Sequence, residues 1–231
     1  MRDQHPTVIA SRAVRVPIGT AYLDGDLTVP VDATGIVVFA HGSGSSRHSP
    51  RNRHVAAVLQ QRGFATLLLD LLTEREEELD EFSGEYRFDI RRLADRLITV
   101  SHWVRETRET ASLPIGFFGA STGAGAALVA AAELPKVAAV VSRGGRPDLA
   151  GAALAHVKAP TLLIVGGRDT PVIQMNRDAM AQMRAPASIE IVPGATHLFE
   201  EPGALDRVAR LAGDWFERYL APTQPARRNG P

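Results

Sequence analysis

The chain has 231 residues, no cysteine, and acidic and basic side chains in equal number, 26 of each. That length accommodates one α/β domain with a large buried core. The absent thiols exclude disulfides, cysteine zinc sites, iron–sulfur clusters and a thiol nucleophile, and the zero net charge provides no global field to attract nucleic acid or an anionic membrane.

From the N-terminus, Met1 to Val16 carry charge and proline without an apolar segment, so no signal peptide is read. No apolar run is long enough to span a membrane, and a cytoplasmic protein is expected. Val14–Tyr22 and Leu27–Pro30, separated by Asp24-Gly25, read as an antiparallel hairpin at one sheet edge. Six short apolar runs follow: Ile36–Ala40, Ala65–Leu69, Ile115–Phe118, Val137–Val141, Thr161–Val165 and Ile189–Val192. Each is too brief for a helix and too uniformly apolar for a half-exposed strand. Both faces are therefore expected to be buried, as in a mostly parallel central sheet with helices on both faces, an α/β class.

The intervening stretches have helical spacing. Leu93, Leu97, Val100 and Val104 recur at three and four residues, as do Leu205, Val208, Leu211, Ala212, Trp215 and Tyr219. Thr122–Leu134 is rich in glycine and alanine, which lets a helix approach the sheet closely before Pro135 ends it. The acidic Glu74–Glu85 reads as a solvated loop or short helix, with lining of a site entrance as the alternative. Residues 1–220 form one expected domain, and Ala221–Pro231, with its proline, arginine and glycine, reads as a disordered tail.

Chemistry concentrates at strand ends. Gly119-Ala120-Ser121-Thr122-Gly123 lies between the run Ile115–Phe118 and the small-residue helix. A sharp strand-to-helix turn holds a serine hydroxyl clear of the sheet, and glycines flank it because side chains there would meet neighbouring backbone. A serine is a weak nucleophile near neutral pH and needs a base held in one tautomer. Of seven histidines, His197 is the best placed, in Pro193-Gly194-Ala195-Thr196-His197 after the last strand. His102 falls within the helix pattern, and His5, His48, His54 and His156 have no strand-end context. Asp169, in Gly166-Gly167-Arg168-Asp169, is the matching acid, with Asp148 as the alternative. His41-Gly42-Ser43-Gly44-Ser45-Ser46 follows the run Ile36–Ala40 and can aim a backbone N–H at a developing oxyanion. Ser43 supplies that N–H and Thr122 the second. The loop lacks the spacing of a phosphate-binding glycine motif.

These residues resemble the α/β-hydrolase superfamily and, within it, the dienelactone hydrolase-like family, from about Gly35 to Leu220. The likeness rests on His41-Gly42-Ser43-Gly44, Gly119–Gly123, Gly167-Arg168-Asp169 and Gly194-Ala195-Thr196-His197. Ser142–Asp148 and His197–Gly203 are also similar to hydrolase modules joined to phosphoribosyltransferase domains, although no such second domain is read here. The dienelactone hydrolases that name the family use cysteine where this chain has Ser121. The resemblance implies a serine esterase with Ser121, Asp169 and His197 in nucleophile–acid–base order, no cofactor and no metal. Only Ser142 to Pro160 separates two strands where larger hydrolases insert a lid. The expected cleft is thus open, walled by Arg47–Arg53, Leu71–Arg87, Arg143–Asp148 and Leu198–Phe199, and suited to small or short-acyl esters. His41, Arg143, Leu198 and Phe199 are candidate substrate contacts, Arg143 through a substrate carboxylate. Thioester and lactone hydrolysis share the same residues, a non-catalytic binding module is the alternative from another class, and dehalogenase chemistry wants a carboxylate at position 121. Partners are limited to a small-molecule ester, without nucleic acid or membrane, in a monomer or homodimer.

Overall fold

The computed structural model describes residues 8–220, so the tail Ala221–Pro231 lies outside the described residues. Alternating apolar and polar side chains shape the first two strands, β1 (Val8–Ile18) and β2 (Ala21–Pro30). Their turn falls at Gly19-Thr20, with Gly19 left-handed at φ 64°, and not at Asp24-Gly25. The inward period of Leu23, Gly25, Leu27 and Val29 runs uninterrupted through that dipeptide. Glycine stands at 25 for a different reason, because a side chain there would press on Leu67 and Leu69 at 3.1 and 3.2 Å.

The later strands are β3 (Gly35–Ala40), β4 (Phe64–Leu69), β5 (Ile115–Ala120), β6 (Val137–Arg143), β7 (Thr161–Gly166) and β8 (Ala187–Val192). They complete one eight-stranded sheet in the order β1-β2-β4-β3-β5-β6-β7-β8. β1, β2 and β4 pair antiparallel, and every neighbouring pair from β4 to β8 is parallel. β3, β4, β5 and β7 are buried at every residue, which is why they read as unbroken apolar runs.

Helices α1 (Pro50–Gln61) and α6 (Ala204–Leu220) cover one face. There Val55, Leu59, Val208, Ala212, Phe216 and Leu220 pack on Val37, Phe39, Phe118 and Val141. The inward stripe of α6 is carried by Phe216 and Leu220, while Trp215 and Tyr219 are only partly buried. Helices α3 (Ile90–Glu106) and α4 (Thr122–Glu133) cover the other face, with Leu93, Leu97, Val100, Val104 and Leu128 inward. α5 (Thr170–Gln182) follows β7, and a 3-10 segment, Pro147–His156, occupies the β6–β7 link. The acidic stretch forms α2 (Glu74–Ser83), begun by a reciprocal Thr73–Glu76 capping box and ended by Gly84 at φ 67°. It is not a wholly solvated face, since Asp80 is buried and receives N–H bonds from Tyr86 and Arg87 at 2.7 and 3.1 Å.

Candidate active site

The turn from β5 into α4 positions Ser121 at φ 50°, ψ −123°, a conformation strained for any residue with a Cβ. The elbow is pinned by Ser121 N–H to Arg143 O at 3.3 Å and by Ala124 and Arg146 N–H to Ser121 O at 3.1 Å. Two close approaches require its flanking glycines. A Cβ at Gly119 would lie 2.4 Å from Ala124 Cα, and one at Gly123 would lie 2.3 Å from Ala40 O and 2.4 Å from His41 O.

Across from the serine, the loop after β3 is held by its own histidine. Leu71 N–H donates to His41 Nε2 at 3.0 Å, so Nδ1 carries the proton and donates to Gly42 O at 2.9 Å. Burial holds the His41 pKa below its ordinary value, against the opposing Gly42 bond and Asp70 charge. Both ring nitrogens are thus committed to backbone, and His41 is a post for the loop, not the substrate contact expected of it. A Cβ at Gly42 would meet Ser121 Cβ at 3.0 Å, so the loop abuts the serine directly. Ser43 N–H points at the elbow and donates to Thr122 Oγ1 at 2.9 Å. Thr122 N–H, first in α4, has no intrahelical acceptor.

Asp169 and His197, 28 residues apart, meet beyond the ends of β7 and β8. His197 Nδ1–H donates to Asp169 Oδ2 at 2.6 Å, which leaves Nε2 of the neutral ring free to accept a proton. Asp169 occupies the N-cap of α5 yet makes no side-chain cap bond, because its carboxylate is turned to the imidazole. Glu201 Oε1 accepts Thr196 N–H at 3.0 Å and steadies the histidine loop. Among the described residues no hydrogen bond joins Ser121 Oγ to His197. Gly144, at φ 50°, lets the histidine loop lie close, since a Cβ there would be 3.0 Å from His197 O. The alternative acid, Asp148, is paired with Arg146 at 2.7 Å.

The remaining candidates divide. Leu198 is 39% exposed beside His197, but Phe199 is 1% exposed and belongs to the core under α6, so it does not meet substrate. Arg143 ends β6 and is buried on the α1 side of the sheet. A cleft of about 320 Å³ opens beside the glycine-rich loop after β3. His41 to Ser46 line it together with Leu72, Leu93, Glu77, Asp80, Glu81 and Arg87, so α2 forms an entrance wall. Burial, ahead of the nearby Asp70 charge, pushes the Glu77 carboxyl up.

Three supporting residues escaped the sequence reading. Asp70 receives Arg47 N–H at 2.6 Å and its guanidinium, and so ties down the loop. Its place directly after β4 was the available signal. Asn176 of α5 donates to Gly145 O at 3.0 Å, and Asn52 of α1 lies beside Arg143, both on elements without a chemical motif.

A mostly parallel eight-stranded sheet, a strained serine elbow after β5 and an acid–histidine pair after β7 and β8 define an α/β-hydrolase fold. A dienelactone hydrolase from Anabaena variabilis is 60% identical with a TM-score of 0.90, covering 94% of this chain and 100% of that one. The sequence model of the dienelactone hydrolase family matches residues 21–221, and the chain belongs to that family. The fold alone is shared with Est1E from Butyrivibrio proteoclasticus, at 14% identity and TM-score 0.74 over 89% of this chain and 98% of that one. Likewise a Xanthomonas campestris protein, described as an α/β serine hydrolase without lid, gives 20% and 0.74 over 94% and 98%. Two Mycobacterium tuberculosis proteins whose names propose a phosphoribosyl transferase are 59% identical over 215 residues, 92% of this chain. The chain spans about half the length of these relatives, 47%. Among the described residues no helix is long and apolar enough to cross a membrane, and no cluster of three metal-ligating side chains occurs.

Proposed function

We propose that the protein is a serine hydrolase of small or short-acyl carboxylic esters, working through an acyl-enzyme. The observation that carries this reading is the 2.6 Å Asp169–His197 bond, standing beside a serine held in a strained elbow. Ser121 Oγ attacks the ester carbonyl while its proton passes to His197 Nε2, and the oxyanion is received by the Thr122 N–H and by the Ser43 N–H, which exchanges its bond to Thr122 Oγ1 for the one to the oxyanion. Asp169 stabilises the imidazolium. The tetrahedral adduct collapses as the imidazolium gives its proton to the departing alkoxide. Water, deprotonated by the same nitrogen, then attacks the acyl-enzyme and restores the serine. The chemistry calls for no metal or organic cofactor.

Short acyl groups are supported by the modest cleft and by the ten-residue 3-10 segment that fills the β6–β7 link. The name of the longer mycobacterial relatives attaches to proteins of about twice this span, whereas the esterase reading rests on residues of this chain.

The test is intact-mass measurement after fluorophosphonate treatment, followed by turnover of p-nitrophenyl esters of increasing acyl length. One adduct on the wild type, none on Ser121→Ala, and turnover falling with chain length are expected. Undiminished hydrolysis by Ser121→Ala overturns the mechanism, and a preference for long acyl chains overturns the substrate class.

A further inference from the structure

The hydroxyl of Thr122, beside the nucleophile in the chain, has half of its hydrogen-bonding capacity unspent. Thr122 is 5% exposed, and its Oγ1 accepts the Ser43 N–H at 2.9 Å. A threonine hydroxyl also carries one proton to give. Within a helix that proton goes to the carbonyl four residues back, as Thr99 gives its own to Asp95 O at 2.9 Å. Thr122 is the first residue of α4, and four residues back lies Phe118, a strand residue of β5. Among the described residues no acceptor takes the Thr122 proton. A buried hydroxyl with an idle donor costs stability unless some other group completes it.

The position of that hydroxyl identifies the missing acceptor. Thr122 Oγ1 stands on the very N–H that the oxyanion needs, and the Gly42 backbone abuts the Ser121 side chain, so the whole contact lies against the reacting atom. Two oxygens that each approach one N–H to about 2.9 Å from the same side lie about 3 Å from one another, which is hydrogen-bonding distance for a hydroxyl and an anion. The backbone N–H of Thr122 is turned to the same place, at the free end of α4. We propose that Thr122 is a catalytic residue whose side-chain hydroxyl is a third oxyanion donor. This rests on the esterase reading above and deepens it. In the resting protein Oγ1 substitutes for the substrate oxygen, satisfies the Ser43 N–H and closes the loop after β3 onto the elbow. In the tetrahedral adduct the Ser43 N–H turns to the oxyanion, and the O–H of Thr122 rotates to donate to the same oxygen. The threonine proton stays on Oγ1 throughout, and no covalent bond of the residue changes. The gain falls on the transition state, since a hydroxyl bonds a full negative charge more strongly than it bonds the neutral carbonyl of the bound ester.

Thr122→Val keeps the shape of the side chain and removes its proton, Thr122→Ala removes the proton and the bulk, and Thr122→Ser keeps the hydroxyl. With p-nitrophenyl acetate, Thr122→Val and Thr122→Ala should each lose about 10- to 100-fold in kcat with KM little changed, and Thr122→Ser should stay within about fivefold of wild type. Trifluoroacetone, whose hemiketal with Ser121 carries an oxyanion, should bind Thr122→Val more weakly by the factor lost in kcat/KM. Crystal structures of the two ketone adducts separate donation from anchoring. Wild type should show Thr122 Oγ1 within about 3.2 Å of the hemiketal oxygen, and the Ser43 N–H should bond that oxygen in wild type and Thr122→Val alike. A kcat in the folded valine or alanine variant equal to or above that of wild type overturns the proposal, because the hydroxyl then only plugs the site. So does a valine adduct from which the Ser43 N–H has withdrawn, because the loss then belongs to the loop. Wild type that neither hydrolyses the ester nor forms the ketone adduct ends the esterase reading and the third donor together. Wild-type turnover that Thr122→Val leaves intact ends the third donor alone.

Discussion

Replacing Gly123 by alanine tests the elbow and the oxyanion donors together. A methyl there would lie 2.3 Å from Ala40 O and 2.4 Å from His41 O, both rigid backbone at the end of β3. Carbon–oxygen contacts settle near about 3.3 Å, so α4 and the end of β3 must part by roughly 1 Å. The two proposed donors stand on either side of that contact, Ser43 N–H beyond β3 and Thr122 N–H at the start of α4. A gap widened by that amount leaves one of them out of reach of the oxyanion, a loss of about 10²- to 10³-fold in kcat. Overpacking against backbone should also lower stability by about 1–3 kcal/mol, within what a native domain tolerates. Steady-state kinetics and urea unfolding of the purified variant measure the two effects. Gly151→Ala is the control, at φ 51° and ψ −130° with open space around it, and should cost about 1–3 kcal/mol through backbone strain without altering kcat. If Gly123→Ala is folded and its kcat is within threefold of wild type, the proposed pairing of the Ser43 and Thr122 N–H groups as oxyanion donors is overturned.

Other outcomes follow from the same geometry. Asp169→Asn removes the acceptor that fixes the His197 tautomer and should lower kcat about 10⁴-fold, with the fold retained by circular dichroism; a tenfold loss or less would remove Asp169 from the mechanism. His41 is neutral in the fold and takes up a proton when released, so below its ordinary pKa of about 6.5 the unfolded chain binds the extra proton and stability falls with acidification. Its contribution is at most about 1.4 kcal/mol per pH unit, and urea unfolding between pH 7.5 and 5.5 should show a shallower dependence for His41→Gln than for wild type. At Asp80, burial raises the carboxyl pKa, but the bonds from Arg87 and Tyr86 outweigh it and hold the group below its ordinary range. Its contribution is therefore present above about pH 4 and lost as pH falls through the depressed value. Asp80→Asn should destabilise by about 2–3 kcal/mol at pH 7 and raise KM by loosening the α2 wall, with the loss shrinking as the pH falls below about 4.

The sequence marks those features whose physics is local. Unbroken apolar runs betray strands buried on both faces at β3, β4, β5 and β7, with Ser121 and Asp169 just beyond two of them, but the run Ile189–Val192 before His197 is an edge strand in which Val192 alone is buried, because no strand pairs beyond it. The Thr122–Leu134 composition reads as a close helix because only small side chains fit against the ends of β3 and β5. What depends on distant partners was hidden. Asp24-Gly25 has the composition of a turn, but β4 packs against it and makes it strand. Glu74–Glu85 looks solvated until Arg87 turns back and draws Asp80 inward. The burial of Phe199 and of Arg143 depends on where α6 and α1 cross the sheet, which no local pattern records. The bond from Ser43 N–H to the Thr122 hydroxyl joins residues 79 apart and is equally invisible in the chain.

β8 is an edge strand, pairing with β7 alone, and five of its six residues are only partly buried or exposed. The loop bearing His197 hangs from its end. Edges of this kind open at lower free energy than the interior of a sheet, so the base is anchored to the least protected margin while Ser121 sits at the most protected centre. Heating should therefore silence the protein before it melts, with fast amide exchange confined to β8 and its loop at temperatures where β3 and β5 remain locked.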